Sequence, residues 1–193
     1  MTHAFESVAL ATERLLMRPL QAGDAPGVFA IFSDARVSRY LSRPTWTAVS
    51  QAEEHISRDL AALAAGQYLR LGLERRADGA LLGECCLFNR VEGSRRAEIG
   101  YALAHAHWGR GYMHEALQAL LAYGFGPMGL NRIEADIDPR NRGSAASLQR
   151  LGFRQEGLLR ERWIVSGEVS DSALYGLLRA EWLAAVDAAP RAA

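Results

Sequence analysis

Two glycines one residue apart, Gly109 and Gly111, lie in His107-Trp-Gly-Arg-Gly-Tyr-Met-His-Glu-Ala-Leu117. An apolar run, Ile99-Gly-Tyr-Ala-Leu103, precedes them and reads as a strand; Met113 to Phe125 follows and reads as a helix. Glycines at a strand-to-helix turn leave backbone N–H groups uncovered at a helix N-terminus. Those orphan donors and the helix dipole suit a phosphate group.

Other residues of reactive type are less clearly arranged. Glu98, at the start of the strand, can take a proton from an incoming ammonium through water, or be a solvated strand-edge carboxylate. Glu134, Asp136 and Asp138 share one strand face by period two, as a patch for a cationic amine or simply a solvated face. His105, His107 and His114 are too irregularly spaced for a metal site, and no metal is expected. His107 or His114 can assist proton transfer, though a loop or helix-surface role is the plainer reading. Cys85 and Cys86 are adjacent, so in a strand they point to opposite faces and read as buried small hydrophobes, not a disulfide.

The elements that must position these residues follow from period and punctuation. Glu13 to Leu20 reads as a strand. Asp24 is placed to cap a helix with Pro26 in its first turn, and Val37 to Leu41 continues it. Ser50 and Glu53 read as a capping box for a helix that Gly66 ends. Tyr68–Glu74 and Ala80–Asn89 form a hairpin around Ala77-Asp-Gly79. Ala97–Ala104 is the next strand, then come the glycine turn and its helix, closed by Gly124, Gly126 and Pro127. Asn131–Asp138 alternates as a strand. Ser144–Leu151 is a short helix, Phe153–Val165 and Val169–Leu178 are strands turned by Ser166-Gly167, and Ala180–Ala188 is amphipathic. Consecutive strands mixed with strand–helix units predict an α+β fold with a mixed, mostly antiparallel sheet of about seven strands flanked by helices.

With 193 residues the chain suits one domain, 1–193 with its core about 12–185. Its formal net charge is zero, which gives no electrostatic case for nucleic acid as a partner. No apolar run is long enough to span a membrane. The Met1–Glu6 start lacks the basic and apolar stretches of a secretory signal, so a cytoplasmic location is expected, and the C-terminal tail is expected to fray. Every basic residue is Arg. The missing lysine excludes a P-loop or a Schiff base, and His114 stands where a dinucleotide fold wants a third glycine.

Gly109-Arg-Gly111 after a strand resembles the pyrophosphate loop of the GCN5-related N-acetyltransferase (GNAT) superfamily, patterned Gln/Arg-x-x-Gly-x-Gly/Ala. Asn141-Arg-Gly-Ser144 ahead of Gly152-Phe153 extends the likeness. Glu13-Arg-Leu-Leu-Met-Arg-Pro-Leu20 and the ending Asp171, Leu174–Leu178 and Glu181-Trp182 resemble the subgroup that holds the ribosomal-protein N-terminal acetyltransferases (RimJ/RimL type). Trp108 and Tyr112 match the subgroup's wording around the glycines. Ala106 departs from it, standing where Gln or Arg is usual.

The resemblance implies the GNAT fold and acetyl-CoA as acyl-donor cosubstrate. Backbone around Tyr101, Ala102 and Leu103 would hold pantetheine as an added strand would. Trp108, Gly109, Arg110, Gly111, Tyr112 and Met113 would hold the pyrophosphate. Asn141 and Ser144 would contact the donor near its sulfur, with Ser144 donating to the leaving thiolate or serving as helix N-cap. Glu98 is the candidate base. The glutamate to which the ribosomal-protein enzymes assign that duty maps here to Trp163, and Glu156 and Glu161 are nearby charges of unassigned role. The implied reaction is acetyl transfer to a primary amine, foremost a protein or peptide N-terminus. A small amine (amino acid, polyamine or aminoglycoside) is the alternative acceptor, and a non-catalytic acyl-CoA sensor the alternative class. A homodimer is an assembly that exposed edge strands permit.

Overall fold

Alternation along the strand runs and 3.6-residue spacing along the helical ones sort the chain onto one sheet with helices on both faces. The computed structural model describes residue 5 and residues 7–188. Phe5 apart, the Met1–Glu6 start and the tail beyond Ala188 lie outside the described residues. In chain order the elements are β1 (Leu10–Ala11), β2 (Leu15–Arg18), α1 (Ala25–Phe32), α2 (Ala35–Ser38), α3 (Ser50–Ala64), β3 (Leu69–Arg75), β4 (Leu81–Val91) and β5 (Arg96–Leu103). Then come α4 (Tyr112–Phe125), β6 (Arg132–Ile137), α5 (Arg142–Arg150), β7 (Arg154–Val165), β8 (Glu168–Leu178) and α6 (Arg179–Ala188).

The fold is α+β with one mostly antiparallel sheet, ordered β1-β2-β3-β4-β5-β6-β8-β7. Among the described residues only β5 and β6 pair in parallel, as a strand–helix–strand crossover requires. The sheet has eight strands among the described residues, one more than the spacing predicts. The extra one, β1, is a two-residue pairing of Leu10 with Met17 and Ala11 with Leu16, too short to show a period.

Two buried clusters flank the sheet. Leu117, Leu120 and Leu121 of α4 and Leu148 of α5 pack with Cys85, Leu87 and Ile99. Val28 and Phe32 of α1, Trp46, and Ala52 and Ile56 of α3 pack with Ala102. Both cysteines are free and buried, and burial pushes both thiols up.

Two expected caps are corrected. Asp24 has φ −80° and ψ −10°, not the extended backbone of an N-cap, and makes no cap hydrogen bond to α1. Its carboxylate instead accepts from Gln21 N at 2.7 Å and from Arg18 at 2.8 and 3.0 Å. Ser50 lies inside α3 because Val49 before it is already helical, so the Ser50–Glu53 box does not form. Gln51 takes over, its side-chain oxygen accepting from Thr47 N at 2.8 Å and Ala48 N at 3.1 Å.

Between α3 and the β3–β4 hairpin lies a charged cluster that no sequence motif announces. His55 Nε2 stands 3.0 Å from Glu84 and 3.2 Å from Asp59. Arg70 reaches both carboxylates, Asp59 at 3.0 Å, and Tyr68 donates to Asp59 at 2.5 Å. The ligand-type atoms of His55, Asp59 and Glu84 fall within 4.8 Å of one another. The Arg70 guanidinium already supplies positive charge to both acids, which leaves a cation little to neutralise. Burial alone would raise Glu84, but the Arg70 charge and the His55 contact outweigh it and hold the carboxyl at about 2.

Candidate functional site

The sheet parts at its middle. β5 pairs with β6 only through Arg96–Arg132, Ala97–Ile133 and Glu98–Glu134. Beyond Glu98 the strands diverge: β5 runs on to Leu103 paired to β4, while β6 runs on to Ile137 paired to β8. The edge of β5 from Ile99 to Leu103 that would face β6 therefore has no strand partner among the described residues. Ala102 and Leu103 bury their side chains, so that edge offers backbone only.

The glycine turn stands at the end of this split strand. Gly109 and Gly111 have φ of +72° and +78°, a left-handed conformation that favours glycine. Gly111 is the N-cap of α4 and provides no side-chain cap, leaving the first amides of α4 to a ligand or solvent. A Cβ added at Gly109 would meet nothing within 4 Å, so the turn is open above that residue. Tyr112 is half-buried and Met113 buried, while Gly109, Arg110 and Gly111 are exposed. Trp108 fixes the loop to the strand, its indole N–H donating to Leu103 O at 2.7 Å. Arg14, which the sequence reading did not single out, braces the other side. It stacks 4.5 Å over the Tyr112 ring, donates to Arg110 O at 3.0 Å and pairs with Glu115 at 2.6 Å. Its partners lie about a hundred positions away, and no spacing in the sequence signals them.

Tyr101, Asn141 and Ser144 come together across the split. Asn141, not Ser144, is the N-cap of α5: its side-chain oxygen accepts from Ser144 N at 3.1 Å. That corrects the N-cap reading of Ser144, whose hydroxyl is left to other partners. Ser144 Oγ lies 2.6 Å from the Tyr101 hydroxyl. Burial raises the Tyr101 phenol to about 12, although the contact with Ser144 works the other way. The pair thus holds its protons at neutral pH. The Tyr101 side chain, unlike its backbone, is a second group that no sequence pattern singles out.

At this cluster opens a cavity of about 620 Å³, lined by the Ser38–Thr45 segment, Glu98–Tyr101 of β5, the end of β6 and the β7–β8 turn. Glu98 is half-buried there and accepts from Asn89 at 3.1 Å; it has no cationic partner among the described residues. Ser144, Tyr101 and Asn141 reach the same cavity.

The acidic stripe does not act as a free patch. Glu134 is held by Arg96 and Arg132 at 2.6 and 2.7 Å, Asp136 by Ser172 and by Arg162 at 3.1 Å, and Asp138 by Arg140 at 2.6 Å. Glu156 pairs with Arg132, and neither it nor Glu161 lines the cavity, whereas Trp163 does. His107 and His114 lie beside the glycine turn, outside the cavity, and burial lowers both.

A split central strand beside a glycine-headed helix, with a cavity at the split, is an arrangement suited to an acyl-transferring enzyme. Residues 14–154 match the acetyltransferase (GNAT) domain model, and the chain belongs to that family. It is an N-acetyltransferase by class, and acetyl-CoA is the donor the fold uses. It is 37% identical over 174 residues to the uncharacterized N-acetyltransferase p20 of Bacillus licheniformis, covering 90% of this chain and 97% of that one. It is 31% identical to the ribosomal protein uS5-alanine N-acetyltransferase of Escherichia coli over 118 residues, 61% of each. Mycobacterium smegmatis RimJ, solved with CoA-disulfide, superposes with a TM-score of 0.80 at 27% identity, over 93% of this chain and 95% of that one. Among the described residues no helix is long and apolar enough to cross a membrane.

Proposed function

We propose that this chain transfers acetyl from acetyl-CoA to a primary α-amino group presented in the 620 Å³ cavity, foremost that of a protein or peptide N-terminus. The observation that carries the reading is the β5–β6 split: an unpaired backbone edge runs from the glycine turn to a cavity holding an unpaired carboxylate and a protonated hydroxyl pair. The open turn at Gly109, the uncapped start of α4 and the edge of Ile99–Ala102 that no strand pairs among the described residues fit a pyrophosphate joined to an extended amide-bearing arm. Trp108 to Met113 hold the first and Tyr101 to Leu103 the second. Acetyl-CoA supplies an activated acyl group when bound.

Glu98 draws the proton from the incoming ammonium, directly or through water, leaving the nitrogen lone pair free. The new C–N bond forms as the thioester C–S bond breaks, and the nitrogen sheds its second surplus proton to water. Ser144 Oγ gives its proton to the departing sulfur and takes one back from Tyr101, whose phenol recovers it from solvent. Asn141 fixes Ser144 by holding its backbone N–H. The similarity to a uS5-alanine acetyltransferase supports a protein N-terminus as acceptor. The same cavity admits a small amine, and a sensor without turnover is the contrary outcome. A homodimer through the exposed edge of β7 belongs to the same reading, Leu158 there being 51% exposed; sedimentation that finds only monomer removes it.

Release of free thiol from acetyl-CoA, measured across N-terminal peptides, amino acids, polyamines and aminoglycosides, tests the reaction. Turnover on any of these establishes the enzyme; tight donor binding with no thiol release on the whole panel makes it a sensor. Glu98→Gln should slow transfer about 10²-fold near neutral pH, with recovery in alkali as the amine sheds its own proton. An unchanged rate removes Glu98 from the proton path.

A further inference from the structure

The charges of the acceptor cavity do not all find partners within the protein. Arg140 is held by Asp138 and Glu168, and Arg162 by Asp136. What remains inward of the rim is one anion, Glu98, and one cation, Arg43. The Arg43 guanidinium lies 4.0 Å over the Phe32 ring and 4.8 Å over the Trp46 ring, both rings being buried. None of its five N–H donors makes a hydrogen bond or ion pair among the described residues. Glu84 and Asp59 stand behind it, but Arg70 and His55 already claim them. Arg39, exposed at the rim near the Tyr40 ring, adds a second free cation.

A guanidinium held over two aromatic rings is fixed in place and partly stripped of water, yet keeps its donor edge unused. Such an edge matches a planar carboxylate. We infer that the acceptor is an amine that also carries a carboxylate, with its nitrogen at Glu98 and its carboxylate at Arg43. This rests on the acetyl-transfer reading and narrows it: polyamines and aminoglycosides, all cationic, are disfavoured by Arg43 and Arg39. The carboxylate has two sources, the α-carboxylate of a free amino acid and an acidic side chain near a peptide N-terminus.

Matched pairs separate the sources. Phenylalanine against phenylalaninamide reads the α-carboxylate, and a Ser-Glu-Gly peptide amide against Ser-Gln-Gly amide reads the side chain. The wild-type enzyme should prefer the carboxylate member of at least one pair by about tenfold or more in kcat/KM. Arg43→Gln should remove that preference through KM with little change in kcat, and Arg43→Lys should retain part of it. Equal turnover of both members in both pairs by the wild type overturns the inference, as does a preference that survives in Arg43→Gln. The wild-type comparison needs no variant, so a misfolded Arg43→Gln leaves it decisive. Calorimetric titration of the same compounds, with coenzyme A present, keeps the two readings apart. Arg43-dependent carboxylate binding without thiol release upholds the recognition site and sinks the transfer reading. Turnover with no carboxylate preference does the reverse.

Discussion

Ser144 is reached from two directions: its N–H is held by Asn141 and its hydroxyl by Tyr101. In the proposed relay the two hydroxyls act as one path, and this makes a quantitative prediction. Ser144→Ala and Tyr101→Phe should each lower kcat about 10²-fold with donor affinity kept. The double variant should be scarcely slower than either single one, because residues acting as a unit are non-additive. Additive losses in a single-turnover assay would show two independent roles. Gly109→Glu should abolish donor binding, since its carboxylate would stand above the turn where the phosphates belong; normal coenzyme A titration of that variant rules the assignment out. The residues of the glycine turn, Asn141 and Ser144 were legible because neighbours in sequence carry their pattern. Tyr101 and Ser144 lie 43 positions apart and Arg14 and Glu115 lie 101 apart, so no local rule joins them. Arg43 was invisible for a related reason: its meaning depends on which charges lack partners in the folded cavity.

At the scale of elements, strand–helix order, mixed sheet and the glycines that end α3 and α4 were readable from period and punctuation, whereas the N-caps of α1 and α3 were not. A capping box needs an extended residue at its head, and the turn through Val49 removes that conformation from α3. Ser50→Ala should therefore change stability by less than about 0.5 kcal/mol. Gln51→Ala should cost about 1 kcal/mol by freeing the N–H groups of Thr47 and Ala48. Denaturant melts that reverse this ranking would restore the sequence assignment. Gly83 carries a different constraint: a Cβ there would stand 2.2 Å from Ala102 O and 3.0 Å from Leu103 Cα. β4 must approach β5 this closely where β5 leaves β6. Gly83→Ala should cost about 3 kcal/mol and push β5 outward, reducing donor affinity along with stability. A melt shifted by no more than a few tenths of a kcal/mol would show that the strands can part without loss.

For the whole molecule, acid resistance depends on the buried cluster around Glu84. Its folded carboxyl is held at about 2 against an ordinary value of 4.5, so the native state binds this proton less readily than the unfolded chain. The stabilisation is full above about pH 4.5 and is lost as pH falls toward 2, on the order of 3 kcal/mol in all. Glu84→Gln should lose about 3 kcal/mol at neutral pH, because the buried Arg70 guanidinium then keeps only Asp59 of its two carboxylate partners. It should also flatten the acid limb of the stability curve between those values; a parallel limb would place the acid sensitivity elsewhere.

Three residue pairs, Arg96–Glu98 against Arg132–Glu134, are the whole of the pairing between β1–β5 and β6–β8 among the described residues. A seam so short can open as a local event, with β6–β8 loosening before β3 and β4 unfold. Amides of β6 should then exchange with deuterium at a lower opening free energy than those of β3. A donor lying along β5 and reaching Ser144 touches both sides of the seam and shifts that opening by mass action. Saturating acetyl-CoA should slow exchange along β6 and β8 more than along β3, so that the substrate acts as the missing length of the sheet's central joint.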